Sequence, residues 1–170
     1  MRRPQYGDDR DPQTVDKVMQ GWQMLLERLF GIRLVQRADA SLYHADARFY
    51  DVVDEAGEAI AGLYLDLFAR PGKRGGAWMG EARPRRNDAD HVQLPVAYMV
   101  CNFSPARADT PSLLSHNDVG TLLHETGHCL HLLLTEVNRP SIAGVTGFEW
   151  DAVELPSQLM EDFAWDRQVL

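Results

Sequence analysis

The chain has 170 residues, 45% hydrophobic and 25% charged, with a formal net charge of -8 at neutral pH. That length suits one domain with a sizeable core. The acidic balance excludes a surface built for nucleic acid or an anionic membrane, and no apolar run approaches the roughly 18 residues that a bilayer crossing needs.

Residues 1–10 are polar and read as a loosely held start, without the apolar stretch of a secretory signal. Asp11 followed by Pro12 reads as a helix entry, a capping acid with proline in the first turn. Val15, Val18, Met19, Trp22, Leu25, Leu26 and Leu29 then recur at helical spacing until Gly31. Three strand-like runs follow over 32–38, 47–54 and 59–69, and residues 54–58, with Gly57, predict a hairpin turn. In the third run Leu63, Leu65 and Leu67 share one face while Tyr64, Asp66 and Phe68 share the other. Asp66 is out of place in a strand; it is expected to pair with a nearby arginine or to line a cleft. Residues 70–90 mix glycine and proline with basic side chains and read as loop, with Lys73, Arg74, Arg83, Arg85 and Arg86 solvated rather than gathered on an anion. Residues 95–103 are a nearly continuous apolar strand, and 104–115 a loop. Cys101 and Cys129, the only cysteines, have no metal-ligand spacing and are expected as small buried residues in a reducing, cytoplasmic setting.

The most informative stretch is His124-Glu125-Thr126-Gly127-His128. It fits H-E-x-x-H, in which two histidines one helical turn apart offer imidazole nitrogens to a zinc ion and the intervening glutamate handles a water. Its surroundings support a helix. Val119, Leu122, Leu123, Thr126, Leu130, Leu133, Leu134 and Val137 form one apolar stripe, His124, His128 and His131 lie opposite, and Ser115 with Asp118 forms a capping box at the start.

A catalytic zinc expects a third protein ligand. Leu134 stands where the metzincin pattern needs its third histidine, which excludes that class. His131 is poorly placed to converge with His124 and His128, and is expected to support a ligand or touch substrate. The other candidates are Glu149, Asp151, Glu154, Glu161, Asp162 and Asp166, across the connector 138–147 and on a helix that begins or bends at Pro156. Position ranks Glu154 first among them and makes Asp151 a candidate to orient a histidine, but spacing alone does not fix the choice.

Three segments taken together, 124–131, 143–147 and 150–158 (Trp-Asp-Ala-Val-Glu-Leu-Pro-Ser-Gln), resemble the thimet oligopeptidase and oligopeptidase A family of zinc peptidases. Tyr64-Leu65-Asp66-Leu67, Lys73-Arg74-Gly75-Gly76-Ala77-Trp78 and Pro95-Val96-Ala97-Tyr98 fit the same family, so the resemblance runs from about Val15 onward. It implies one Zn2+ per chain held by His124, His128 and Glu154, with Glu125 as general base and short peptides as substrates. Thr126 departs from the phenylalanine usual there and is expected to alter packing only. Family members are much longer, with a tyrosine and a histidine supplied after this region to bind substrate and stabilise the oxyanion. The resemblance therefore implies a catalytic-core unit over 1–170 that works with flanking helical regions or a partner chain, or else a zinc-binding segment with little activity.

The expected architecture is α+β with a zincin-like core: an N-terminal helix, a small mostly antiparallel sheet, then the H-E-x-x-H helix packed against a second, C-terminal helix. Residues 63–68, or Gly75, Gly76 and Ala77, are expected to pair with an extended substrate.

Overall fold

Thr14 starts the first helix: its side chain accepts a hydrogen bond from the Lys17 amide, and α1 runs Val15–Phe30 to a left-handed Gly31, a conformation that favours glycine. The computed structural model describes residues 13–88 and 91–166, with only the backbone of Asp88 described. The expected loose start at 1–10 and the Asp11-Pro12 entry lie outside the described residues, and the cap is Thr14 instead.

Before α1, the short β1 (Gln13–Thr14) pairs with a strand far along the chain. After it come β2 (Arg33–Gln36), β3 (Arg48–Val53) and β4 (Ala59–Phe68). The predicted hairpin joins β3 to β4: Gly57 has φ 86°, and the Asp54 and Gly57 amides close the turn onto Glu58 O and Asp54 O. Where the sequence predicts loop over 70–90, the chain forms two further strands, β5 (Trp78–Arg83) and β6 (Arg86–Asp88), the latter in a separate two-stranded ribbon with β7 (His91–Gln93). The predicted apolar strand is β8 (Val96–Phe103), and β9 (Leu113–Leu114) is the partner of β1.

The main sheet has the order β2-β3-β4-β8-β5. Only β4 with β8 is parallel; the other pairings are antiparallel. This order overturns one expectation. Residues 63–68 lie on β4, which is hydrogen-bonded on both sides, so no edge remains there for a substrate. The edge strand beside β8 is β5, directly after Gly75, Gly76 and Ala77.

One sheet face is dry. Leu63, Leu65, Ala97, Met99 and Cys101 pack with Trp22, Leu25 and Leu26 of α1 and with Val119, Leu122 and Leu133 of α2 (His116–Leu133). The opposite face carries a cluster of rings: Tyr64 stacks on Tyr98 at 4.9 Å, Phe49 meets Tyr64 edge-on at 4.7 Å, and Tyr43 meets Tyr98 edge-on at 5.9 Å.

Asp66 lies under that cluster, 2% exposed. It takes two hydrogen bonds from Arg70 (2.7 and 2.9 Å), one from Lys73 Nζ (2.8 Å) and one from Tyr43 Oη (2.9 Å). Burial works to raise its pKa, but these donors outweigh it and hold the carboxyl well below the usual carboxylate range. The expected arginine partner is there, with a buried lysine beside it.

α2 carries the predicted capping box: Ser115 Oγ accepts from the Asp118 amide, and Asp118 Oδ2 accepts from the Ser115 amide at 2.8 Å. Leu134 is the C-cap and Val137 lies beyond the helix, 41% exposed, so the apolar stripe is shorter than predicted. Buried Thr126 accepts from Trp22 Nε1 at 2.8 Å and donates to Leu122 O at 2.7 Å, pinning α1 to α2. The connector after α2 makes a 3-10 turn at Pro140–Ile142 and buries Ala143. The last helix, α3 (Leu155–Glu161), has Pro156 in its first turn and continues as a 3-10 turn over Asp162–Trp165. It is shorter than the helical character predicted for 148–170.

Candidate metal centre

α2 sets two histidines on one face, and α3 brings a carboxylate to them. Glu154, the N-cap of α3, has its Oε2 3.3 Å from His124 Nε2 and 3.1 Å from His128 Nε2. One donor atom from each of the three residues lies within 4.8 Å of the others. The approach depends on a glycine. A Cβ on Gly127 would overlap Pro156 O and lie 2.5 Å from Ser157 Cα, so only a bare backbone at 127 lets the start of α3 rest on α2.

The site's hydrogen bonds fix the donors. His124 Nδ1 donates to Glu161 Oε1 at 2.6 Å, leaving Nε2 as the free lone pair facing Glu154. Ser157 Oγ donates to Glu154 Oε2 at 2.7 Å and, with the two histidines nearby, lowers the Glu154 pKa. Burial lowers the pKa of His128, favouring the neutral imidazole that a metal requires. Two imidazole nitrogens and a carboxylate oxygen are a zinc donor set; bonds of about 2.0–2.1 Å to a tetrahedral ion imply donor separations of about 3.3 Å. The Nε2 to Oε2 distances of 3.1 and 3.3 Å match, so these residues fit zinc.

Glu125 is 6% exposed. Burial, the main cause, raises its pKa, His124 opposes this, Glu154 adds to it, and a hydrogen bond from the Met79 backbone on β5 lowers it. Cavities of about 390 and 350 Å³ flank it, sharing Ala77, His124 and Glu125 as walls. One extends along the N-terminal half of α2, the other past His128 toward Val145, Val153 and Glu154.

The remaining sequence-predicted residues divide. Ala77 lines both cavities, and Gly76 is tied in place by Asn102 Nδ2, which donates to Gly76 O at 2.6 Å and to Arg74 O at 2.8 Å. A Cβ added at Gly75 would meet nothing within 4 Å beyond its chain neighbours. His131 does not line either cavity; it packs edge-on against Phe148 at 4.6 Å, and its Nδ1 is buried without a hydrogen-bond partner. Asp151 is exposed in a turn, and the carboxylate on His124 is Glu161. Sequence reasoning placed Glu161 among third-ligand candidates and missed this role. Its distance of seven residues from Glu154, two helical turns on, was the available signal.

Two histidines a turn apart, a buried glutamate between them and a third carboxylate from the next helix define the donor arrangement of an H-E-x-x-H metallopeptidase. The chain belongs to peptidase family M3, whose pattern matches residues 8–170. It is 44% identical to oligopeptidase A of Haemophilus influenzae over 156 residues, covering 91% of this chain and 23% of the relative. The organellar oligopeptidase A of Arabidopsis thaliana is 44% identical over 164 residues, 92% of this chain and 21% of the relative. The dipeptidyl carboxypeptidase of Escherichia coli is 42% identical over 146 residues, 84% of this chain and 20% of the relative. The chain thus spans less than a quarter of the length of these relatives.

Proposed function

We propose that this chain is the zincin-like catalytic core of a cytoplasmic oligopeptidase that hydrolyses peptide bonds in short peptides, with one zinc ion per chain held by His124, His128 and Glu154. The observation that carries it is the convergence of those three donors beside a buried glutamate on the same helix. Zinc, when bound, supplies Lewis acidity to the scissile carbonyl and makes a water more acidic. The protein's own residues do the rest. Glu125 takes the proton of the attacking water on its carboxylate and returns it to the departing amine; its raised pKa suits both transfers. Glu161 holds His124 in one tautomer. An extended peptide finds its backbone partners along β5, at the edge of the sheet, while its side chains enter the two cavities.

The cytoplasmic placement rests on two buried, unpaired cysteines; burial pushes the Cys101 thiol up to about 12 and Cys129 well above its usual range, so both are inert thiols. Among the described residues, no helix is long and apolar enough to cross a membrane.

The linings of the two cavities favour a second reading, a folded zinc-binding segment with little turnover: among the described residues, neither includes a tyrosine to serve the oxyanion. One experiment separates the two. Zinc-loaded chain is assayed with a quenched peptide, with and without chelator, beside Glu125→Gln. Chelator-sensitive turnover that the variant loses while keeping stoichiometric zinc supports the peptidase. Full turnover in Glu125→Gln refutes the role given to Glu125, and bound zinc without turnover supports the second reading.

A further inference from the structure

We infer that the cavity beside the N-terminal half of α2 is a size-selective subsite for a bulky, ring-bearing side chain of the substrate, kept open by Gly120. The inference rests on the peptidase reading of the site.

Gly120 sits inside an 18-residue helix, where glycine is the weakest ordinary former, so its presence needs a local reason. The two glycines of α2 differ. Gly127 is required by backbone contact with α3, whereas a Cβ on Gly120 would meet nothing within 4 Å, and its φ is not in the left-handed region. Neither sterics nor backbone conformation calls for glycine at 120. What a side chain there would do is enter the cavity of about 390 Å³ that Gly120 lines.

The shape of that cavity fits a large side chain. Ala77, Gly120 and Ala164 are small and leave the width open. His116 and Trp165 also line it, their rings edge-to-face at 4.2 Å, and offer an aromatic wall. Glu125 and His124 share the lining, so a side chain seated there belongs to a residue next to the bond being cut. The second cavity is lined by Trp78, Met79 and Val153 and lies beyond Gly120's reach, so the two subsites can be changed separately.

The test uses binding and turnover side by side. A dye-labelled all-alanine hexapeptide, and a set in which a single phenylalanine is moved through its positions, are titrated by fluorescence polarisation. The proteins are the metal-free wild-type chain, Gly120→Ala and Gly120→Leu, with circular dichroism melts to confirm folding. The wild type is expected to bind the best phenylalanine peptide roughly tenfold or more tightly than the alanine peptide. That ratio falls in Gly120→Ala and approaches one in Gly120→Leu, and the melting temperature does not drop. A wild-type ratio near one, no binding of any peptide, or a ratio that survives in Gly120→Leu overturns the subsite. Should the leucine variant fail to fold, the alanine variant decides. Turnover by the zinc-loaded wild type is read separately: a binding ratio that responds to Gly120 without cleavage sinks the peptidase reading and leaves the subsite standing.

Discussion

Replacing Gly127 by alanine tests the joint on which the candidate metal centre is built. The added methyl would overlap Pro156 O and lie 2.5 Å from Ser157 Cα and 2.6 Å from Pro156 C, all backbone atoms that no side-chain rotation can clear. Restoring ordinary contact requires the start of α3 to retreat by roughly 1 Å. Glu154 lies two residues before Pro156, so its carboxylate retreats too. Ligand distances tolerate only about 0.2 Å, so the expected loss of zinc affinity is at least tenfold, about 1.4 kcal/mol. Overpacking costs about 1–3 kcal/mol, and alanine's better helix propensity returns about 1 kcal/mol, leaving a net loss of up to about 2 kcal/mol. Zinc affinity is measured by competition with a chromogenic chelator and stability by urea unfolding of the metal-free chain. Gly120→Ala, at a glycine of the same helix without such neighbours, is the control and should stabilise by about 0.5–1 kcal/mol. A Gly127→Ala protein that binds zinc like the wild type and gains stability like the control would refute the reasoning.

Glu161→Ala should weaken zinc binding about 10- to 100-fold, Glu161→Gln less, since the amide still accepts from His124 Nδ1; equal affinity in all three proteins counts against the positioning role. Asp66→Asn leaves Lys73, whose side chain is 6% exposed, without its counter-charge and should cost about 3–5 kcal/mol, read by urea unfolding at pH 7. The same carboxyl predicts a pH dependence. Its folded pKa lies below the unfolded 3.8, so its contribution is complete above that value and is lost as pH falls below it. Wild-type stability should therefore drop steeply between about pH 4 and 2, and Asp66→Asn should drop less; parallel slopes would contradict this.

The helix at the centre of the site was legible because its signals are local. The H-E-x-x-H spacing, the capping box and most of the apolar stripe lie within one helix, and residues 116–133 form it, ending one turn short of the stripe read out to Val137. The hairpin at 54–58 was legible for the same reason. β5 was not. Gly80, Glu81 and Ala82 are weak strand formers, and the strand exists because it pairs with β8, a tertiary cause that sequence pattern does not carry. The exchange of Asp151 for Glu161 has a similar origin. Which carboxylate reaches His124 depends on how α3 crosses α2, and that crossing is set by the backbone contact at Gly127.

Glu125 connects the two halves of the molecule. On one side it belongs to α2, whose register with α3 assembles the donors. On the other it takes a hydrogen bond from the Met79 backbone of β5. The position of β5 follows from the loop before it, and that loop is clamped from below. Lys73 Nζ donates to Asp66 Oδ1 and to the carbonyl oxygens of Asp66, Phe68 and Cys101 at 2.6–3.0 Å, while Asn102 holds Arg74 O and Gly76 O. All four Lys73 acceptors belong to β4 and β8, the parallel pair at the centre of the sheet. The buried Asp66, which the strand pattern alone left unexplained, is the counter-charge that makes this clamp affordable in a dry interior. It touches neither the metal donors nor the cavities, yet it fixes the loop from which the edge strand beside Glu125 departs. Damage at Asp66 should therefore reach the site through β5, impairing peptide binding before zinc affinity, whereas damage at Gly127 does the reverse.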